Sequence, residues 1–374
     1  MTGVQTCALP IWVKELAEEE AAADLEALVF RSGGTIQLSP LPGDPGVPAG
    51  PPEAARETLA RRRFSGRIPI DFGVSSVPAI VSVAAGRAGG IHDPAELADH
   101  DDLAPEAPEA APPLLEPPAP PIRDEWDIFA FPRGARAGTC LHEIFEHIDF
   151  TRTAGEEITP LIRSTLRKHR FDDRWVPAVA GMVGKVVRLP LDPEAGEGLT
   201  LAAVPPSRRI NEMEFYFPLK SASGRGLESL FAEHGITGPS GDFPERIGRL
   251  EWSRTRGMMK GFIDLVFVHG GRYYLVDWKS NHLGDRPEDY GHNALAGVMA
   301  GSFYILQYHL YALALHRYLK HRLVGHDYEA HFGGVRYLFL RGVDPERNPS
   351  WGMFPDRPRA GVIRSLEALL VDCP

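Results

Sequence analysis

The stretch GMMKGFIDLVFVHGGRYYLVDWKSN (residues 257–281) constrains this chain more than any other. It reads as two apolar, β-prone runs joined at His269-Gly270-Gly271, a good turn signal between two strands. Three charged residues, Asp264, Asp277 and Lys279, stand where a sheet normally keeps Val and Ile. Residues i and i+2 of a strand share a face, so Asp277 and Lys279 project together, and a short turn brings Asp264 close to Asp277. Two carboxylates in one buried site cost several kcal/mol unless a cation compensates them. Oxygen ligands this hard suit Mg²⁺, which keeps several waters. A lysine beside such an ion can orient the attacking water and stabilise charge on a phosphate. A buried Asp–Lys ion pair with Asp264 at a turn would explain Asp-x-Lys alone. Three charges interrupting two apolar strands favour the metal site.

The neighbouring pattern supports an enclosing domain. GTCLHEIFEHIDF (138–150) is helical, with Leu141, Ile144, Phe145 and Ile148 on one face. INEMEFYFPL (210–219) alternates, with Met213, Phe215 and Phe217 on one face and Glu212, Glu214 and Tyr216 on the other. Residues 302–322 form a long helix on which Gln307 and Tyr311, at i and i+4, can hold a phosphate or fix the nearby lysine. GGVRYLFLRGV (333–343) is a final, central strand. Helix–strand–strand–strand–helix–strand gives an α/β domain, a mixed central sheet flanked by helices. His142 is a candidate nitrogen ligand. In HEIFEH, however, His147 follows at i+5, where the zinc-protease motif needs i+4. Neither a phosphate-binding G-x-x-x-x-G-K-[ST] loop nor G-x-S-x-G occurs. Residues 151–209 carry no functional signal.

Charge is unevenly spread. The net charge of −10 belongs to residues 1–121, with 8 Lys/Arg against 18 Asp/Glu, whereas residues 122–374 carry 32 of each. Neutrality of the larger part leaves a nucleic-acid groove open, because local patches outweigh totals. No apolar run reaches the 18 residues of a membrane helix. Met1–Ile11 reads as translated sequencing adapter and is set aside, so the true N-terminus is expected to be missing. Beyond it lie only Cys140 and Cys373, too few for a disulfide framework, an iron–sulfur site or structural zinc, which suits a cytoplasmic protein. Residues 12–30 read as a helix. Residues 55–83 read as a short helix, then β-prone segments, with basic 61–67 as a solvated helix end. Between residues 105 and 121, 8 of 17 residues are proline, a semi-rigid spacer and a domain boundary.

FPRGARAGTCLHEIFEHIDF, GFIDLVFVHGGRYYLVDWKSNHLG, LQYHLYALALHRYLKHR and HFGGVRYLFLRGVD together resemble the nuclease domain of the RecB family, the beta subunits of exodeoxyribonuclease V. The likeness covers roughly residues 124–370. It implies a PD-(D/E)XK, restriction-endonuclease-like core in residues 122–374, a helicase remnant in 12–85 and a linker in 86–121. His142, Asp264 and Asp277 match the family's metal ligands and Lys279 its catalytic lysine. Gln307 and Tyr311 match its Q-x-x-x-Y motif, and Glu214 is a further acidic candidate. The implied activity is Mg²⁺-dependent hydrolysis of DNA in double-strand break repair. RecC and RecD are the implied partners, and ATP acts only through an absent helicase part. Alternatives are an AddAB-type or CRISPR-associated relative, or a catalytically silent module that docks DNA or partner subunits. Such a module would not need Asp264, Asp277 and Lys279 together.

Overall fold

A computed structural model describes residues 18–33, 37, 72–76, 126–153, 155–192, 198–220, 223–250 and 256–371. The expectations for residues 1–11, 61–67 and 86–121 lie outside them. The chain divides into two compact units, residues 1–67 and 68–374. In the first, the expected helix is seen as α1 (Glu18–Arg31).

The second unit holds β1 (Phe72–Ser75), α2 (Ala135–His147), α3 (Gly155–Lys168), α4 (Val176–Arg188), β2 (Arg209–Leu219), α5 (Gly224–Glu233) and α6 (Phe243–Gly248). There follow β3 (Arg256–His269), β4 (Arg272–Lys279), α7 (His292–Gly301), α8 (Tyr304–Arg322), α9 (Tyr328–His331), β5 (Phe332–Phe339), β6 (Met353–Asp356) and α10 (Ala360–Leu370). The six strands form one mixed sheet in the order β1-β3-β4-β5-β6, with β2 also paired to β3. This is the α/β architecture expected, in a form that fits a PD-(D/E)XK-like core. Strand β1 precedes the proline-rich stretch, so the sheet also draws on the segment 12–85.

The hairpin β3–β4 is closed as its sequence requires. Gly270 (φ 55°) and Gly271 (φ 76°) both take left-handed backbone, which a two-residue turn needs and glycine adopts without steric cost. Strands β4 and β5 run parallel, and the connection that parallel pairing demands is made through α7 and α8.

Each face of the sheet carries its own core. On one, Met213, Phe215 and Phe217 of β2, Ile263 of β3 and Leu275 of β4 pack with α5, α8 and α10. On the other, Leu265 and Phe267 of β3 and Val276 and Trp278 of β4 pack with α2, α3 and α4. Residues 151–209, silent in sequence, thus supply two helices of this second layer. Helix α4 ends at Arg188, and Leu189, Leu191, Leu199 and Leu201 are buried after it.

Strand β3 changes partners along its length. One edge pairs with β2 from Gly257 to Phe267. The other edge pairs with β1 at Arg256–Met259 and with β4 only from Leu265 to His269. The fork between β1 and β4 opens at Asp264.

Candidate metal centre and its buried lysine

The fork also shifts the side-chain alternation. Ile263 and Val266 face the first core and Leu265 the second, so Asp264 and Leu265 lie consecutively off the first-core face. Strand β2 yields at the same level. Asn211 pairs with Leu265 and Met213 with Ile263, while Glu212, opposite Asp264, takes φ 47°. A left-handed residue with a side chain costs about 1–2 kcal/mol and persists only where its surroundings impose it. Here it accompanies the turning of Glu212 toward Asp264.

Helix α2 completes the corner. Phe145 stacks on Trp278 of β4 with ring centroids 4.5 Å apart. Asn211 donates to the Glu146 carbonyl and Arg209 to that of Ile148, satisfying acceptors that a helix end leaves open. The docked helix holds His142 Nδ1 3.6 Å from Asp264 Oδ2. One ligand atom from each of His142, Glu212 and Asp264 lies within 4.8 Å of the others. Asp264 is buried, and its Oδ2 accepts the Trp278 N–H at 2.7 Å, replacing the ladder bond lost at the fork. His142 Nε2 is buried without a hydrogen-bond partner. An imidazole with one buried, unpartnered nitrogen and the other near a carboxylate is costly as it stands and suits a divalent cation, which takes both nitrogen and oxygen donors.

The structure brings the predicted His142 and Asp264 together and adds Glu212, which sequence reasoning passed over. Asp277 lies outside this triad. Its Oδ1 is 2.8 Å from Lys279 Nζ, and both side chains are fully buried. Lys279 Nζ also sits 4.1 Å from the Tyr304 ring centroid and 5.5 Å from that of Tyr337. Such ring faces attract an ammonium more strongly when water is excluded. The predicted Gln307 and Tyr311 are buried behind this pair. Gln307 donates to the Tyr311 hydroxyl at 3.0 Å and accepts from Tyr337 at 2.9 Å, so the motif supports the ring beside Lys279. Arg341, itself buried, donates to the Ser280 carbonyl at 3.1 Å and fastens the end of β4.

Glu214 lies elsewhere. Its carboxylate meets Lys260 Nζ at 3.0 Å and accepts from the Tyr216 hydroxyl at 2.8 Å, on the surface. Those hydrogen bonds, Lys260 first, hold it below the usual carboxylate range. Sequence alternation puts Glu212 and Glu214 on one face and cannot choose between them. The antiparallel register opposite Asp264 would have done so.

No protein-family model matches the chain. Among curated proteins it is similar to RecBCD enzyme subunit RecB of Escherichia coli K12, 43% identical over 240 residues, 64% of this chain and 19% of that protein. The subunit of the same name from Haemophilus influenzae is 34% identical over 317 residues, 82% of this chain and 24% of the relative. That from Mycolicibacterium smegmatis is 30% identical over 383 residues, 95% of this chain and 34% of the relative. The chain thus spans about a fifth to a third of the length of these relatives. With its mixed sheet, acidic fork and these relatives taken together, the chain is a RecB-like protein.

Proposed function

We propose that this chain carries the nuclease site of a RecBCD-type enzyme and hydrolyses phosphodiester bonds of DNA with Mg²⁺. The observation that carries this reading is the His142–Glu212–Asp264 cluster, with its orphaned imidazole nitrogen, next to the sealed Asp277–Lys279 pair. His142, Glu212 and Asp264 would hold the ion, and Asp277 lies behind them at the place where the β3–β4 ladder would continue. Bound there, a divalent cation lowers the pKa of its water and stabilises charge on a phosphoryl oxygen.

The chain's own residues do the rest. Asp264 is fixed by the Trp278 N–H, and the oxygen that accepts this bond, Oδ2, is also the one 3.6 Å from His142 Nδ1. Lys279 supplies positive charge from a dry interior, where it acts more strongly than in water. Asp277 keeps that charge compensated until a phosphate arrives. Gln307, Tyr311 and Tyr337 hold the rings that locate Lys279. Affinity for DNA is expected to fall with salt, as for any contact with backbone phosphates.

In the intact assembly this site would act in double-strand break repair and degradation of linear DNA. It would receive strands unwound by an ATP-driven helicase part, of which residues 12–85, apart from the sheet strand β1, would be the remnant and 86–121 the tether. RecC and RecD would be its partner subunits, in the bacterial cytoplasm. Among the described residues, no single helix is long and apolar enough to cross a membrane.

The test uses the full chain, because β1 lies before the proline-rich stretch. Protein stripped of metal is given labelled single-stranded DNA and titrated with Mg²⁺. Degradation that requires Mg²⁺ and disappears in Asp264→Asn and Asp277→Ala supports the reading. A folded protein that binds DNA but never cleaves it, with or without partner subunits, overturns it.

A further inference from the structure

Beyond the metal cluster, β2 and β3 share a face that, among the described residues, neither core covers. Met213, Phe215 and Phe217 of β2 and Met259 and Ile263 of β3 point into the first core. Glu214 and Tyr216, with Lys260 and Phe262, therefore point the opposite way, on the side that carries Glu212 and Asp264. The register pairs Glu214 with Phe262 and Tyr216 with Lys260. Two successive rungs thus lead away from the Glu212–Asp264 level. Tyr216 is 50% exposed, and Phe262, partly buried, belongs to neither core cluster.

The rings on this face are held in place. Lys260 Nζ lies 5.3 Å from the Tyr216 centroid and 5.1 Å from that of Phe262, gripped between them. The Lys260–Glu214 ion pair at 3.0 Å cancels the local charge, and Tyr216 is tied to Glu214 through its hydroxyl. A neutral surface with two fixed rings offers little to a phosphate and much to a nucleobase, since every base has a π-face. Phe262 is one rung, about 7 Å along the strand, from Asp264. A base resting there leaves its own phosphodiester within reach of the cluster.

We propose that Phe262 and Tyr216, fixed by Lys260, form a stacking platform for bases of the single strand being cleaved. The platform sets which phosphodiester sits at the His142–Glu212–Asp264 cluster. This inference rests on the nuclease reading for its purpose, but its binding arm can be measured without cleavage. Because the rings hold the strand equally before and during reaction, their loss raises KM and leaves kcat nearly unchanged. Glu214 is the one acid on the platform, and its neutralisation should draw the strand closer.

The experiment uses the full chain with a single-stranded oligonucleotide carrying 2-aminopurine, whose fluorescence is quenched on stacking. Binding is read in EDTA and cleavage in Mg²⁺. Tyr216→Ala and Phe262→Ala should each weaken binding by about tenfold, with reduced quenching, while Tyr216→Phe retains both. Glu214→Gln should bind severalfold tighter. Unfolding midpoints matched to the unsubstituted chain guard against loss of fold. If the chain cleaves DNA and the alanine variants keep its KM and quenching, the platform is wrong and the nuclease reading stands. If quenching is present and lost in the variants while no cleavage occurs, with or without partner subunits, the platform stands as a single-strand binding surface and the nuclease reading falls.

Discussion

Asp264 and Asp277 would face each other if the β3–β4 ladder ran one pair further, yet they occupy opposite kinds of environment. Asp264 stands at the fork with His142 and Glu212, a second acid and an imidazole nitrogen that nothing in the protein satisfies. Asp277 is sealed with Lys279 under the rings of Tyr304 and Tyr337. One half of the site has the donor set that suits a cation, and the other is compensated from inside by a lysine. A buried acid is therefore informative mainly through what neutralises it. The same residue type on adjacent strands can belong to a cluster that suits a metal or to a closed ion pair.

Breaking the inner half should have the largest effect. Lys279→Met leaves Asp277 buried without its counter-charge, and the unfolding free energy should drop by about 3–5 kcal/mol. Adding Asp277→Asn should restore most of that loss while activity stays absent. A double-mutant cycle by chemical denaturation measures both, and equal stability of single and double variants would deny the pairing.

The outer half should behave in the reverse way. Asp264→Asn should cut DNA cleavage by on the order of a thousandfold, several kcal/mol of transition-state stabilisation. Its stability without metal should change by no more than about 1 kcal/mol, because relief of acid repulsion offsets a weaker bond to Trp278 N–H. Mg²⁺ at about a hundred times its Kd should stabilise the unsubstituted chain by about 2.7 kcal/mol and the variant hardly at all. Glu212→Gln should reduce that metal-induced shift, whereas Glu214→Gln should leave it intact. Thermal melts with and without Mg²⁺ separate the two glutamates.

Acid probes the sealed side. His309, fully buried on α8 with Nδ1 2.7 Å from the Ile305 carbonyl, has its pKa lowered from 6.5 to about 4, chiefly by desolvation. A depressed histidine favours the neutral form in the folded state. Its contribution is present above pH 6.5 and is lost as pH falls from there through about 4. Stability should decline over that window, and His309→Leu should flatten the decline. The smallest effect is expected at Tyr304. Tyr304→Leu removes the nearer ring from Lys279 and should lower kcat by several-fold, in line with about 1 kcal/mol for such a contact. Tyr304→Phe, which keeps the ring, should restore it.

Much of this was legible in the residues because it is local. Gly270-Gly271 announced the hairpin, and the helical spacing of Leu141, Ile144 and Phe145 announced α2. Alternation alone separated Trp278, now stacked on Phe145, from Asp277 and Lys279 on the opposite face. The helices of residues 155–188 were missed because their apolar positions, interrupted by Pro160 and several glycines, gain meaning only against the sheet they cover. Strand β1, four residues long, lies within the β-prone run expected in residues 55–83, but its parallel pairing with β3 was not legible there.

The sequence by itself determined the β3–β4 hairpin, its turn and the projection of Asp277 and Lys279 to one face, since these follow from period two and a tight turn, whereas it ranked their direct pairing below a metal site. Only the tertiary structure decided which glutamate joins Asp264. That choice depends on the register between β2 and β3, on the fork where β4 leaves β3, and on the positive φ that turns Glu212 inward. Contacts between residues 142, 212 and 264 are long-range, and no local pattern encodes them. They become visible when the sheet and the helix docked on it have closed around one point.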